Sequence, residues 1–374
     1  MGFVEQSTEL INSDRKKWRF HWQCGEYKFY NIYLAHWFQN EFGQWVDYVD
    51  KEHDVVKQQL SNIESIDEDV DYDLIHLQRL RDNNKKLALQ FSGGYDSTYV
   101  FKKAVDNNIF FDKILTNAVG SWDEPFSAEQ KYNVFPWLEE YPDAFGELVK
   151  HCVSVDEYKE FVKDPNFIFS DPCVSLPKFA INQWINCPWE DEYKYIRCEA
   201  QAQLVYKDGR WYATLINKTF SGNHGQDLSS FWVDPENIIS FMKNALKIRK
   251  FCIEKYGTPD SELEFYKVYN REIFDLLGLT ELKNPSVQGR KYTVTRDNKM
   301  GYTRNDKDKQ FFNYLIEIGR EDILFDLLNG DNYFYKVCNF TYQDQADVVH
   351  DSGKFPWFID LDTFELFRQS DVFK

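Results

Sequence analysis

Leu87-Ala88-Leu89-Gln90-Phe91-Ser92-Gly93-Gly94-Tyr95-Asp96-Ser97-Thr98 is the stretch on which the reading of this chain turns. Leu87–Phe91 is a short apolar run that suits a buried parallel strand. From Ser97 to Asn107 the spacing becomes helical. Between them the chain must turn sharply and deliver a helix N-terminus. Gly93 and Gly94 have no Cβ, so the backbone can bend tightly and lie close to a ligand. The amide end of a helix favours an anion, and Ser92, Ser97 and Thr98 add hydroxyls suited to phosphate oxygens. Asp96 would repel a polyphosphate unless it holds a Mg²⁺ that bridges to it. A capped helix after a glycine turn is the plainer explanation. Five fixed positions, however, should coincide by chance in only about one chain in a thousand at average residue usage.

Outward from this stretch, Lys113–Val119 and Glu147–Val155 are further strand candidates. Strand, helix and strand in that order predict a right-handed crossover and a parallel α/β sheet. Residues 81–230 are expected to form this domain, between an N-terminal mainly helical region, 1–80, and a C-terminal mainly helical region, 231–374. In the first, Leu34, Trp37, Phe38, Phe42, Trp45, Val46 and Val49 follow a three-four spacing that predicts a helix over Ile32–Leu60. A second helix is expected at Leu74–Arg81. A hairpin is predicted from Ala200–Tyr206 and Arg210–Ile216, joined at Lys207-Asp208-Gly209. Helical patterns cover Pro235–Tyr256, Ser261–Leu277 and Asp308–Leu328. The aromatic tail Phe355–Phe367 is expected to dock on the body.

Aromatic residues make up 18% of the 374, which sets a disordered chain aside. A formal charge of −17 argues against broad contact with nucleic-acid backbones. No stretch has the length and apolarity of a membrane span, and Met1–Trp18 lacks the apolar segment of a signal peptide. The seven cysteines are scattered singly, without C-x-x-C, so neither a disulfide framework nor a structural zinc site is expected. A cytoplasmic location follows as the expectation.

Ser92-Gly93-Gly94-Tyr95-Asp96-Ser97 resembles the S-G-G-x-D-S signature of the PP-loop, or N-type ATP pyrophosphatase, superfamily. The resemblance implies an adenine nucleotide α-hydrolase-like fold, a five-stranded parallel sheet with helices on both faces and the loop after its first strand. It also implies ATP and Mg²⁺, cleavage to AMP and pyrophosphate, and a substrate adenylate. The asparagine-synthetase branch is the most similar. Asp171-Pro172 faintly matches its D-E-P segment, and Phe220-Ser-Gly-Asn-His-Gly-Gln-Asp227 is similar, with one insertion, to its S-G-x-G-x-D-E loop. On that alignment Asp227 is the second Mg²⁺ ligand beside Asp96. The usual acid after S-G falls on Asn223 or His224, and His224 is the candidate base in its place. There is no N-terminal catalytic cysteine, and 91 residues before Ser92 are too few for a glutaminase domain. Nitrogen would therefore come from free ammonia, an amine or an ammonia-supplying partner, and the oxygen from a small-molecule carboxylate or amide. The basic residues Arg290, Lys291, Arg296 and Lys299 are candidates to neutralise the leaving pyrophosphate.

Two other functions fit the same loop. A sulfur-transfer or tRNA-modifying PP-loop enzyme would need a thiol, for which Cys173 is the candidate, although such families usually show paired cysteines. A non-catalytic nucleotide-binding module would follow if the substitution at Asn223-His224 removed the chemistry.

Overall fold

A computed structural model of the chain describes residues 20–29, 43, 46–50, 52–83, 86–120, 130–157, 190–198, 202–215, 228–259, 271–279, 315–323 and 357–373. Strands β1 (Phe20–Cys24), β2 (Tyr27–Phe29) and β3 (Val46–Asp50) form an antiparallel sheet in the order β2-β1-β3. Strands β4 (Lys86–Gln90), β5 (Phe111–Val119), β6 (Phe145–Val153) and β7 (Tyr193–Arg197) belong to a five-stranded sheet. After the hairpin β8 (Gln203–Lys207) and β9 (Arg210–Leu215), β10 (Leu228–Ser230) completes it. This sheet is parallel throughout, in the order β10-β7-β4-β5-β6. Strands β11 (Trp357–Asp360) and β12 (Leu366–Arg368) extend the hairpin into a four-stranded antiparallel sheet, β12-β11-β9-β8.

The parallel sheet is α/β, as expected, and β4 at its centre is buried from Leu87 onward. Its side chains alternate between two clusters, as a two-residue period requires. Leu87, Leu89 and Phe91 enter the main core, while Ala88 packs with Leu115, Tyr193 and Tyr195. Helices α1 (Glu52–Ser61), α2 (Tyr72–Asp82), α3 (Tyr95–Asp106), α4 (Phe135–Glu140) and α5 (Ile238–Tyr256) all send their buried apolar residues into the first cluster. Among the described residues no helix contributes to the second cluster.

Local chemistry sets the boundaries of these elements. Asp71 caps α2, its carboxylate accepting the N–H of Leu74 at 3.1 Å. Ile238, Phe241, Met242, Ala245, Ile248 and Cys252 recur at three- and four-residue intervals and form the buried stripe of α5. Arg81 of α2 bonds Asp112 of β5 at 2.7 Å, and the same carboxylate accepts the N–H of Leu87 at 2.8 Å. Phe91, Phe101 and Phe111 stack in sequence, with centroids 4.9 and 6.3 Å apart and planes 16° from parallel. That stack fastens the end of β4 to α3 and to β5.

One expectation changes. Val46 and Val49 lie in β3, not on a helix running from Ile32 to Leu60, and helix begins only at Glu52. The predicted hairpin forms, with Asp208 and Gly209 at φ +50° and +81° in the turn, and it pairs with the C-terminal strand β11. The tail docks by strand pairing, Ile359 opposite Ala213. The helix predicted over Ser261–Leu277 is described only as Arg271–Leu276.

Candidate functional site

The order β6-β5-β4-β7-β10 reverses direction at β4. The chain leaves β4 toward β5 on one side and later adds β7 on the other. Connections from such a pair diverge and open a crevice at the carboxyl edge of the sheet, where ligands bind in open α/β folds. Ser92–Ser97 stands at that edge, directly after the central strand.

The pairing of β4 is prolonged by Phe91, whose N–H donates to Leu115 O at 2.8 Å. The chain then turns through Gly93 at φ +74°, a conformation that disfavours any side chain. Gly94, extended at φ −69° and ψ 166°, is the cap of α3 and offers no side-chain cap. The first helical bond runs from Thr98 N–H to Gly94 O at 3.0 Å. The N–H of Gly94 donates to Ser92 Oγ at 3.3 Å, and Ser97 Oγ donates to Gly94 O at 3.2 Å. The two serine hydroxyls are 3.1 Å apart. Ser92, Gly93, Gly94 and Ser97 thus close into one small ring, with Ser92 exposed and Tyr95 and Asp96 half-buried beside it. Asp96 lies in the first turn of α3.

Thr98 stands apart from the others. It is fully buried and its Oγ1 accepts from Asn133 Nδ2 at 3.0 Å, so it braces the turn from behind. Asn133, itself fully buried, also donates to Gly93 O at 2.6 Å. It sits in a π-helical turn, Gln130–Val134, which the sequence did not announce. The next residue of α3, Tyr99, donates to Asp73 Oδ2 at 2.9 Å. Asp73 in turn accepts from Ser240 Oγ at 2.6 Å and Asn237 Nδ2 at 3.3 Å. Burial first, and then the Asp73 carboxylate, push the Tyr99 phenol well above its ordinary value. The helix that carries the loop is thereby tied to α2 and α5 through one buried carboxylate.

Four further polar atoms sit near the same edge. Gln90 Nε2, Thr116 Oγ1, Asn117 Oδ1 and Gln130 Oε1 are buried and have no hydrogen-bond partner among the described residues. By strand alternation Gln90 and Asn117 share the face of Ala88 and Leu115. Gln130 Nε2 donates to Asn117 O, which fixes its amide orientation. Buried donors and acceptors are normally paired, so Gln90, Asn117 and Gln130 are suited to a ligand that brings its own hydrogen-bonding edge, whereas Thr116 by the same alternation faces the other side of the sheet. Sequence reading missed Asn117, Gln130 and Asn133. Asn117 and Asn133 carried a weak signal, an amide beside apolar residues as in Asn133-Val134-Phe135, whereas Gln130 lies between Glu129 and Lys131 and carried none.

His224, Asn223, Asp227, Cys173, Arg290, Lys291, Arg296 and Lys299 lie outside the described residues. The strand after Asp227 begins at Leu228, level through Tyr195 with Ala88. Ser92 is four residues further along that direction, about 13 Å of extended chain. Among the described residues no group of three or more His, Cys, Asp or Glu could hold a metal. One carboxylate is nevertheless compatible with Mg²⁺, which takes one or two carboxylates and completes its shell with water and substrate phosphates. Burial pushes the Cys152 thiol up to about 11, and Cys252 likewise, which leaves both poor nucleophiles near neutral pH. No described helix is long and apolar enough to cross a membrane.

No protein-family model matches the chain, and no curated protein matches it.

Proposed function

We propose that the protein is an ATP pyrophosphatase of the PP-loop type, adopting the adenine nucleotide α-hydrolase-like fold. It adenylates a carboxylate or amide oxygen and then transfers the activated group to nitrogen. The observation that carries this reading is the ring formed by Ser92, Gly93, Gly94 and Ser97 at the switch point, between the central strand and an uncapped helix N-terminus.

The substrate oxygen attacks the α-phosphorus of ATP, the α–β bridging bond breaks, and pyrophosphate leaves with the electron pair. The amide of Gly94, the hydroxyls of Ser92 and Ser97, and the N-terminal dipole of α3 receive the charge that develops on the departing group. A nitrogen nucleophile then displaces AMP from the adenylate, losing its proton to a base. His224 is our candidate for that base. Asp96 is suited to hold a Mg²⁺, which when bound would neutralise phosphate charge. The open polar atoms of Gln90, Asn117 and Gln130 suit the edge of a nucleobase, since amides pair with adjacent donors and acceptors on a purine. The Ser92 and Ser97 hydroxyls each engage a neighbour in the ring, so both must turn toward the ligand on binding.

The test is incubation with Mg²⁺ and α-labelled ATP over a pool of carboxylic acids and amines. AMP and pyrophosphate are expected, and Asp96→Ala should lower their formation at least a hundredfold. Formation of ADP would sink α,β-cleavage. Bound but uncleaved ATP across the pool would favour a nucleotide-binding module.

A further inference from the structure

Every peptide bond described is trans, so the C=O and N–H of one peptide unit lie in one plane and point in opposite directions within it. Asn133 Nδ2 holds Gly93 O at 2.6 Å from the interior. The N–H on the same plane, that of Gly94, therefore faces outward, where it donates to Ser92 Oγ at 3.3 Å. The flanking residues are both glycines, and Gly93 already sits at φ +74°. Nothing in their own conformational preferences keeps this plane from turning over. A flipped plane would present a carbonyl oxygen where the amide now stands and would reverse the partial charge offered to an anion.

We propose that Asn133 is a positioning residue that fixes the Gly93–Gly94 peptide with its amide toward the mouth of the loop, and so sets the loop's affinity for the phosphates of a nucleotide. The inference rests on the phosphate-binding reading of the loop. The burial of Asn133 and its two bonds into the loop, one to Gly93 O and one to Thr98 Oγ1 at 3.0 Å, mark it as the brace of the turn. The second anchor, Tyr99 on Asp73, holds the helix and does not touch the plane. Loss of Asn133 should therefore release the peptide while α3 stays in place. The π-helical turn at Gln130–Val134 is what delivers an amide to this point, in keeping with the use of such turns at functional sites.

The test uses inorganic tripolyphosphate as a probe without base or sugar, titrated calorimetrically into the full chain, with ATP alongside. Asn133→Asp preserves the shape of the side chain. Its ionised carboxylate cannot donate to Gly93 O, whereas its protonated form carries one O–H that can. At pH 8 the variant should bind tripolyphosphate at least tenfold more weakly than the wild type. The deficit, taken as a ratio to the wild type at each pH, should shrink as the pH falls toward 5. The ratio cancels titration of the probe and of Asp96, which both proteins share. Asn133→Ala, which has no proton to regain, should show a deficit that does not change with pH. Far-UV circular dichroism and the urea midpoint establish that each variant is folded, and the Asp variant decides if the Ala variant is not. A folded Asn133→Asp protein that binds within twofold of the wild type at pH 8 would overturn the proposal. So would a deficit equal at every pH in both variants, which is the mark of a merely structural role. Wild-type protein that binds neither tripolyphosphate nor ATP would overturn the phosphate reading itself, a failure recognisable because it precedes any variant.

Discussion

Gln90 is nine-tenths buried at the end of the central strand, and its Nε2 has no partner among the described residues. An unsatisfied buried donor costs about 1–3 kcal/mol, so a ligand that uses it would offset a standing penalty. Gln90→Leu, close in size, should raise stability without nucleotide by about 1 kcal/mol and weaken ATP binding severalfold. Denaturant unfolding and calorimetry check the two halves separately. Unchanged affinity would remove Gln90 from the site. His76 gives a second prediction. It is 1% exposed, 3.4 Å from Ser229 Oγ, which donates to Asp234 Oδ2 at 2.6 Å. Burial lowers its pKa to about 4, against the opposing pull of Asp234 and Asp73. The unfolded chain then binds the extra proton between pH 6.5 and 4, so this contribution is complete above pH 6.5 and lost as the pH falls through that window. Between pH 7 and 5 the loss should be about 2 kcal/mol. His76→Gln should flatten that part of the pH–stability curve, and an equally steep curve in the variant would assign the slope to other groups. At this scale the turn at Ser92–Thr98 was legible, because two glycines between an apolar run and a helical spacing state a sharp passage from strand to helix. Asn117, Gln130 and Asn133 were not, because an isolated amide acquires meaning only from what surrounds it.

Among the elements, β4, β5 and β6 and the helices α2, α3 and α5 could be read within a few residues, whereas β7 and β10 of the same parallel sheet were not predicted. Strand β3 could not be read either. Val46-Asp47-Tyr48-Val49-Asp50 is rich in β-branched and aromatic residues, yet its valines also continue the three-four spacing that begins at Leu34. Its pairing with Phe20–Cys24, about 25 residues earlier, decides the matter, and no local window contains that partner. Strand β6 carries a prediction of the same kind. A Cβ on Gly146 would lie 2.8 Å from the carbonyl oxygen of Asp112 in β5. Gly146→Ala must push apart two strands joined from Phe111–Phe145 to Val119–Val153. The cost should be about 1–3 kcal/mol, read as a fall in the urea midpoint with an unchanged slope. A variant as stable as the wild type would mean that the edge strand shifts freely, and that the loop's neighbour β5 is less rigidly held than its pairing implies.

At the scale of the whole molecule, one apolar cluster runs through all three sheets. It joins Cys24 and Tyr48 of the first, Leu87 and Leu89 of the parallel sheet, and Leu204, Ala213 and Ile359 of the last. The expected division at residues 80 and 230 does not appear as a gap in this cluster, and the hairpin between β7 and β10 leaves the parallel sheet to pair with strands some 150 residues later. Sequence patterning shows that a segment has a face to bury, and only the fold says against what. A continuous core makes the C-terminal strands part of what supports the Ser92–Ser97 loop: Ile359 packs in the cluster that includes α5, and α5 holds Asp73, which holds Tyr99 next to the loop. Ile359→Ala removes a fully buried side chain from β11 and should cost about 2–4 kcal/mol. If the described sheets unfold as one unit, tryptophan fluorescence and ATP binding, followed in the same urea series, should lose their signals together and at an equally lowered midpoint in the variant. A fluorescence transition that moves while ATP binding stays at its wild-type midpoint would separate the C-terminal sheet from the site. The chain of contacts from Ile359 to the loop would then be packing without energetic coupling.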